Sequence, residues 1–374
     1  MENTTMLANI SLNATRNEEN ITSFFTDEEW LAINGTLPWI VGFFFGVIAI
    51  TGFFGNLLVI LVVVFNNNMR STTNLMIVNL AAADLMFVIL CIPFTATDYM
   101  VYYWPYGRFW CRSVQYLIVV TAFASIYTLV LMSIDRFLAV VHPIRSRMMR
   151  TENITLIAIV TLWIVVLVVS VPVAFTHDVV VDYDAKKNIT YGMCTFTTND
   201  FLSPRTYQVT FFISSYLLPL MIISGLYMRM IMRLWRQGTG VRMSKESQRG
   251  RKRVTRLVVV VVIAFASLWL PVQLILLLKS LDVIETNTLT KLVIQVTAQT
   301  LAYSSSCINP LLYAFLSENF RKAFFKVSRV GALGDWTRRV LQVATSEFSV
   351  NISMKYFQSI VFVCISFDGN FYVS

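Results

Sequence analysis

Residues 111–143 read Cys111-RSVQYLIVVTAFASIYTLVLMSIDRFLAVVH-Pro143, and the organisation of the chain follows from this stretch. An uncharged run from Ser113 to Ile134 ends on the adjacent charges Asp135 and Arg136. As a helix the run is roughly 30 Å long, the hydrocarbon thickness of a bilayer. An acid–base pair at a lipid boundary is expensive to hold and reads either as solvated charges marking a helix end or as a functional element.

The surrounding composition favours lipid. Of 374 residues 56% are hydrophobic and 14% charged, with a mean hydropathy of +0.64, more apolar surface than soluble cores can hide. Seven uncharged or nearly uncharged runs are long enough to span: approximately Leu37–Phe65, Leu75–Thr97, Ser113–Ile134, Ile154–Thr176, Tyr207–Met228, Leu257–Leu278 and Leu292–Leu316. Asp84 is the only formal charge inside them. Runs of this length suit helices and not barrel strands, so the expected fold is an all-α membrane protein, a seven-transmembrane helix bundle.

Charge sets the orientation. The net +9 is not spread as a nucleic-acid face; ten basic residues with Glu246 as the one acid crowd residues 229–256. With the N-terminus outside, the inner segments hold 21 Lys and Arg, leaving Arg136 aside as a boundary case, against 8 outside, which is the positive-inside arrangement. No basic-then-apolar signal peptide opens the chain, so the first span is expected to act as its own signal. Residues 1–36 form an outer tail with sequons at Asn3, Asn9, Asn13, Asn20 and Asn34, and Asn188 lies in a later outer loop; these six are the expected glycosylation sites. The bundle occupies 37–316. In Ser317–Arg329, Phe320, Phe324 and Phe325 oppose Arg321, Lys322 and Lys326, the pattern of an amphipathic helix on the inner membrane surface. Residues 330–374 are an inner tail whose apolar segment Tyr356–Phe367 is too short to span.

Each run also carries a mark, and in order they are Gly55-Asn56 with Val59, Leu80-Ala81-Ala82-Ala83-Asp84, Asp135-Arg136-Phe137, Trp163, Pro219 with Tyr227, Phe265-x-x-Leu268-Trp269-x-Pro271, and Asn309-Pro310-x-x-Tyr313. Together they resemble the rhodopsin-like G-protein-coupled receptors over roughly residues 38–329. NLAAADLMFVILCIPF, WPYGRFWC and SIDRFLAVVHPI bring it nearest the galanin and allatostatin-A group, in the invertebrate allatostatin-A manner.

The resemblance implies roles for individual residues. Cys111 and Cys194 match the family's outer disulfide. Asp84, ringed by Asn56, Ser125, Ser305 and Asn309, matches a pocket that holds an allosteric sodium ion; a protonated Asp84 in a structural hydrogen-bond net is the other reading, and no further cofactor is expected. Ile126, Pro219 and Phe265 match an apolar connector beneath the cavity-floor Trp269. Asp135, Arg136, Tyr227, Pro271, Asn309, Pro310 and Tyr313 complete the activation switch. Prolines inside helices remove backbone hydrogen bonds and allow the discrete bends that a switch requires. Two departures stand out. Phe137 replaces the usual tyrosine, and the inner sixth span offers Arg249, Arg251, Lys252 and Arg253 with no acid, so an interhelical ion lock on Arg136 is not expected and some basal signalling is.

The ligand is expected to be a neuropeptide. Ile118 occupies the place where amine receptors of the family carry an aspartate, so a small cationic amine would lack its counter-ion. Tyr99, Trp104, Gln115, Val119, Gln273, Leu276, Gln295, Gln299 and Tyr303, with Ile118 and Trp269, are the candidate lining; neutral amides among aromatics suit a peptide backbone and an amidated end. The resemblance implies short peptides ending Phe-Gly-Leu-amide, a heterotrimeric G protein of the inhibitory class, arrestin, and a lipid-embedded, multi-pass place in the plasma membrane with the N-terminus extracellular. A galanin-like receptor is the alternative. A transporter would show repeats or several embedded charges, and neither is found. An enzyme is not expected either: the histidines are His142 and His177, at span edges, and a lone Asp makes no acid dyad.

Overall fold

A computed structural model describes residues 35–66, 69, 71–101, 103–184, 189–197, 203–236, 245–284, 288–316 and 320. The six candidate glycosylation asparagines, the amphipathic segment other than Phe320, and the tail 330–374 lie outside the described residues.

Seven long helical spans run Leu37–Val64, Thr72–Met100, Gly107–Val141, Glu152–Phe175, Pro204–Arg236, Lys245–Ser280 and Leu289–Leu316. Six of them include stretches long and apolar enough to cross a membrane on their own. The seventh carries Gln295, Gln299, Ser304, Ser305, Ser306 and Asn309. Backbone satisfaction is what makes helices obligatory in lipid, and local signals set their ends. Ser71, Thr151 and Ser203 cap the second, fourth and fifth spans by accepting from the amides of Asn74, Ile154 and Thr206. Pro93 lacks an N–H, and the second span breaks beside it, with Cys91 at φ −120° between Thr72–Leu90 and Ile92–Met100. The fifth span contains a π-helical segment, Ile213–Leu217, two residues before Pro219.

The third span is 35 residues long, and 19 of them are buried, so it is the axis of the bundle. At roughly 52 Å it overshoots the hydrocarbon at both ends. The apolar run Ser113–Ile134 therefore marked the membrane crossing and not the helix termini, which carry Arg108, Arg112, Asp135 and Arg136. The fourth span is the opposite case: in its most apolar window 17% of residues are buried, and Ile157 and Val168 expose more than half of their surface. Such faces meet lipid, whose tails are as apolar as a protein core.

The two largest of the packed clusters divide the interior. The inner one joins Val59, Ile77, Leu80, Ile126, Leu129, Met132, Ile223 and Val261, and Phe320 is buried in it. The outer one joins Phe45, Phe87, Cys91, Val272, Val296, Ala302 and Tyr303. Helix backbones approach closely where side chains are small: a Cβ on Gly55 would stand 3.1 Å from the ring of Pro310. This is the first–seventh contact.

Outside the helices lies an antiparallel hairpin, β1 (His177–Asp184) and β2 (Ile189–Phe196), with His177 opposite Phe196 and Val179 opposite Cys194. The sequence expectation was helical throughout; the bundle is, and this hairpin is the exception. Its first strand is rich in β-branched and aromatic residues, Val179-Val180-Val181 with Tyr183, but sits in a loop between two much stronger hydropathy signals.

Candidate functional site

The site is built in three storeys along the third span. At the outer end Cys111 and Cys194 form a disulfide, with S–S 2.05 Å. Arg108 and Arg112 reach Asp178 of β1 at 2.7 and 2.9 Å, so a second contact on the same helix end holds the same hairpin. Burial works to raise the pKa of Asp178, but the Val179 amide and the two guanidinium groups outweigh it and hold the carboxyl below its usual range. The Trp104 amide donates to the Gly192 carbonyl at 2.7 Å, and the Tyr103 ring lies over the glycine: a Cβ on Gly192 would stand 2.7 Å from that ring and displace it. The hairpin is thus pinned by a covalent bond, two ion pairs and a strand-like contact. It forms the roof.

Beneath it a polar chain crosses from the second span to the seventh. Tyr99 Oη donates to Gln299 Oε1 at 2.7 Å, and Gln299 Nε2 donates to Tyr303 Oη at 2.9 Å. Tyr303 is itself wedged between Phe45 and Phe87, ring centroids 5.3 and 4.8 Å away. Gln295 accepts from Lys279 Nζ at 3.1 Å, and Gln273, 2% exposed, donates to Ser215 Oγ at 3.3 Å. Ile118 and Leu276 pack against the outer cluster, and Gln115 is half-buried one turn from Cys111. Two other candidate lining residues sit in packing contacts. Trp104 is buried against Cys111 and Val114 with its indole N–H on the Gly107 carbonyl, and Val119 packs with Val166 of the fourth span.

The middle storey hangs on Trp269. Its indole N–H donates to Ser305 Oγ at 3.0 Å, and its ring stacks on Phe265 at 5.6 Å. Below it a cavity of about 20 Å³ is lined by Asp84, Ser125, Trp269, Ser305, Ser306 and Asn309, among others. Asp84 Oδ1 accepts from Ser125 and Ser306 at 3.1 and 3.5 Å, and Oδ2 accepts from Asn309 Nδ2 at 2.8 Å. The structure thus joins Asp84, Ser125 and Asn309 as the sequence placed them. Asn56 instead donates to the carbonyls of Gly52 and Ser306, and Ser305 serves Trp269. Ser306 is the partner that sequence reasoning missed, one residue along the same helix. The oxygen ligands and the cavity, with room for about one water molecule, fit a small hard cation.

Ile126 is fully buried in the inner cluster, where Phe265 and Tyr227 pack against it. Beside Pro219, Tyr216 Oη donates to the Ala266 carbonyl at 2.8 Å, joining the fifth span to the sixth just inward of Pro271. Trp163 of the fourth span donates to Asn79, and Asn79 donates to Thr128, closing a buried junction of spans two, three and four.

At the inner end Arg136 Nη2 lies 2.7 Å from Asp135 Oδ2. Asp135 has further partners that the sequence reading lacked. Arg150 Nε reaches Oδ1 at 2.6 Å and its Nη2 reaches Oδ2 at 3.1 Å, while Thr72 and Thr73 donate from the second span at 3.4 and 3.3 Å. Two arginines thus share one carboxylate that is 5% exposed. Arg150 was missed because it caps a short helix, Pro143–Met149, in an arginine-rich connection where no periodicity distinguishes it. Tyr313 lies in the seventh span, next to Pro310; its side chain and those of Arg249, Arg251, Lys252 and Arg253 lie outside the described residues.

This is a bundle with a pinned roof, an outer polar chain, a hinged tryptophan floor and a paired arginine at the inner end. Residues 55–313 match the model of the 7 transmembrane receptor (rhodopsin family). The chain belongs to this family. It is therefore a multi-pass membrane receptor and not an enzyme. It is 51% identical to the allatostatin-A receptor of Bombyx mori over 308 residues, which is 82% of this chain and 84% of that one. It is 38% identical to the human galanin receptor type 1, covering 76% of this chain and 80% of the relative. It is also 34% identical to the galanin-like G-protein coupled receptor npr-9 of Caenorhabditis elegans, over 76% of this chain and 72% of that one. The resemblance read from seven ordered marks thus names the right family.

Proposed function

We propose that the chain is a cell-surface receptor for an allatostatin-A-type neuropeptide ending Phe-Gly-Leu-amide, with its N-terminus outside and a heterotrimeric G protein of the inhibitory class as its inner partner. The observation that carries the reading is the outer polar chain Tyr99–Gln299–Tyr303 with Gln273 and Gln295 beside it, under a hairpin roof. Amide and phenol groups among aromatic rings match the backbone amides and apolar side chains of a short peptide. Ile118 supplies no counter-ion for a small amine. The likeness to the allatostatin-A receptor at 51% identity supports the peptide class over its galanin neighbours at 38% and below.

Transmission follows the three storeys. A peptide that engages Gln299 and Tyr303 biases the seventh span, whose Ser305 holds Trp269; Trp269 stacks on Phe265, and the sixth span bends at Pro271. Release of Arg136 from Asp135 then exposes the inner face to the G protein and, after signalling, to arrestin. Asp84, Ser125 and Ser306 would hold a sodium ion, which would supply positive charge beside the carboxylate and favour the unbent arrangement. The outer sequons on Asn3, Asn9, Asn13, Asn20, Asn34 and Asn188 would carry glycans.

The test is a cyclic-AMP and calcium response in cells expressing the chain. Phe-Gly-Leu-amide peptides should lower cyclic AMP in a pertussis-toxin-sensitive manner. Silence to them beside a response to galanin would replace this reading with the galanin one, which the 38% identity to the human receptor favours as second choice.

A further inference from the structure

Two glutamines on the outer halves of the fifth and sixth spans each bury a polar atom with no hydrogen-bond partner among the described residues: Gln273 Oε1 and Gln208 Nε2. The residues are 2% and 8% exposed. The orientation of the Gln273 amide follows from its neighbour. Ser215 Oγ gives its proton to the Phe211 carbonyl at 2.7 Å, so towards Gln273 it offers lone pairs alone. Gln273 therefore turns its N–H to Ser215 at 3.3 Å, and its carbonyl oxygen is the atom left over. A buried acceptor without a donor is destabilising, and a ligand N–H would recover that cost.

The charges around it narrow the ligand group. In the outer half Arg108 and Arg112 are engaged by Asp178, Arg205 by Asp282, and Lys279 by Gln295. A carboxylate brought to Gln273 would be desolvated against an acceptor, with Arg108, Arg112 and Arg205 already paired to carboxylates and Lys279 donating to the Gln295 amide. A neutral carboxamide meets no such penalty, because its NH2 donates. Gln208 has the complementary deficit, a buried donor awaiting a carbonyl. It stands seven residues outward from Ser215 on the same span, about 10 Å along the axis, which is the reach of roughly three extended residues.

We propose that Gln273 and Gln208 together read the C-terminal end of the peptide as a neutral amide. The terminal NH2 donates to Gln273 Oε1, and a backbone carbonyl about three residues earlier accepts from Gln208 Nε2. Gln273 thereby sets specificity for amide over acid, while Gln208 sets depth and register. The proposal rests on the peptide-receptor reading above.

The probes are one peptide ending Phe-Gly-Leu-amide and the same peptide as its free acid, applied to cells expressing the full chain at matched surface levels. The intact receptor should prefer the amide by roughly ten- to a hundredfold, the scale set by leaving one buried acceptor without its donor. Gln273→Leu should cut the potency of the amide about tenfold and leave that of the acid nearly unchanged, shrinking the preference. Gln208→Leu should weaken both peptides alike and keep the preference. Gln273→Glu retains the acceptor and should keep or widen it. A Gln273→Leu receptor with undiminished preference overturns the inference. If that variant fails to reach the surface, a preference that shrinks in Gln273→Glu does so instead. An intact receptor that answers both peptides equally sinks this inference alone, whereas silence to both sinks the peptide reading and this one with it.

Discussion

Arg150 holds the Asp135 carboxylate with two guanidinium nitrogens, at 2.6 and 3.1 Å, and in doing so competes with Arg136 on the adjacent residue. The two like charges also oppose each other across that carboxylate. Removing Arg150 leaves Asp135 to Arg136 alone and tightens the pair that activation must break. Arg150→Ala should therefore lower basal signalling and shift agonist potency to higher concentration by several-fold. Asp135→Asn frees both arginines and should raise basal signalling. Cyclic AMP without agonist, normalised to surface expression, reads both; a rise in both variants contradicts the competition.

Tyr216 clamps the sixth span to the fifth through the Ala266 carbonyl, one helical turn inward of Pro271. Tyr216→Phe keeps the ring and loses one buried hydrogen bond, about 0.5–1.5 kcal/mol, or roughly a two- to tenfold change in a two-state balance. The expected outcome is basal activity raised by about that factor with peptide affinity slightly increased. Unchanged basal activity would mean that the bond persists in both arrangements.

Asp84 joins the third and seventh spans through Ser125, Ser306 and Asn309 around the cavity. A sodium ion there should oppose agonist binding, so exchanging sodium for N-methylglucamine should raise agonist affinity several-fold. Asp84→Asn should abolish the difference. Equilibrium binding in the two salts, at equal ionic strength, measures it.

His177 lies where the roof meets the bundle, its ring against Phe196 and Tyr207 at 5.3 and 6.2 Å and its Nδ1 on Thr176. Burial pushes its pKa down from 6.5 to about 4, a hydrogen bond at Val173 opposing. With the hairpin lifted so that water reaches the ring, His177 would bind a proton near pH 6.5; packed under the closed hairpin it does so only near pH 4. Closure is therefore fully stable above pH 6.5 and loses stability as pH falls through this window, by at most about 3 kcal/mol. Peptide dissociation should quicken between pH 7 and 5, and His177→Phe should flatten that dependence. Equal acceleration in the variant would place the titrating group elsewhere.

Much of this protein was legible from residue order. Hydrophobic run length dictates helices because lipid satisfies no backbone group, and the distribution of Lys and Arg is what the proposed orientation rests on. The order of marks such as Asp84, Asp135-Arg136 and Asn309-Pro310 identifies the family, since each sits at a fixed depth of a helix whose register is set by 3.6 residues per turn. What tertiary structure alone decided are the pairings between helices and loops. That Ser306 meets Asp84 while Ser305 meets Trp269 depends on a rotation of about 100° between successive residues and on how far the seventh span is turned. That Arg150 reaches back to Asp135 depends on a connection that carries no periodic signal. That the second outer loop is a hairpin, pinned by Asp178 as well as by Cys194, depends on a helix end projecting beyond the lipid to meet it. Residue order settles which segments cross the membrane and in what order; their rotation and the connections that close on them came from packing, because only contacts distant in the chain can choose among faces that are locally alike.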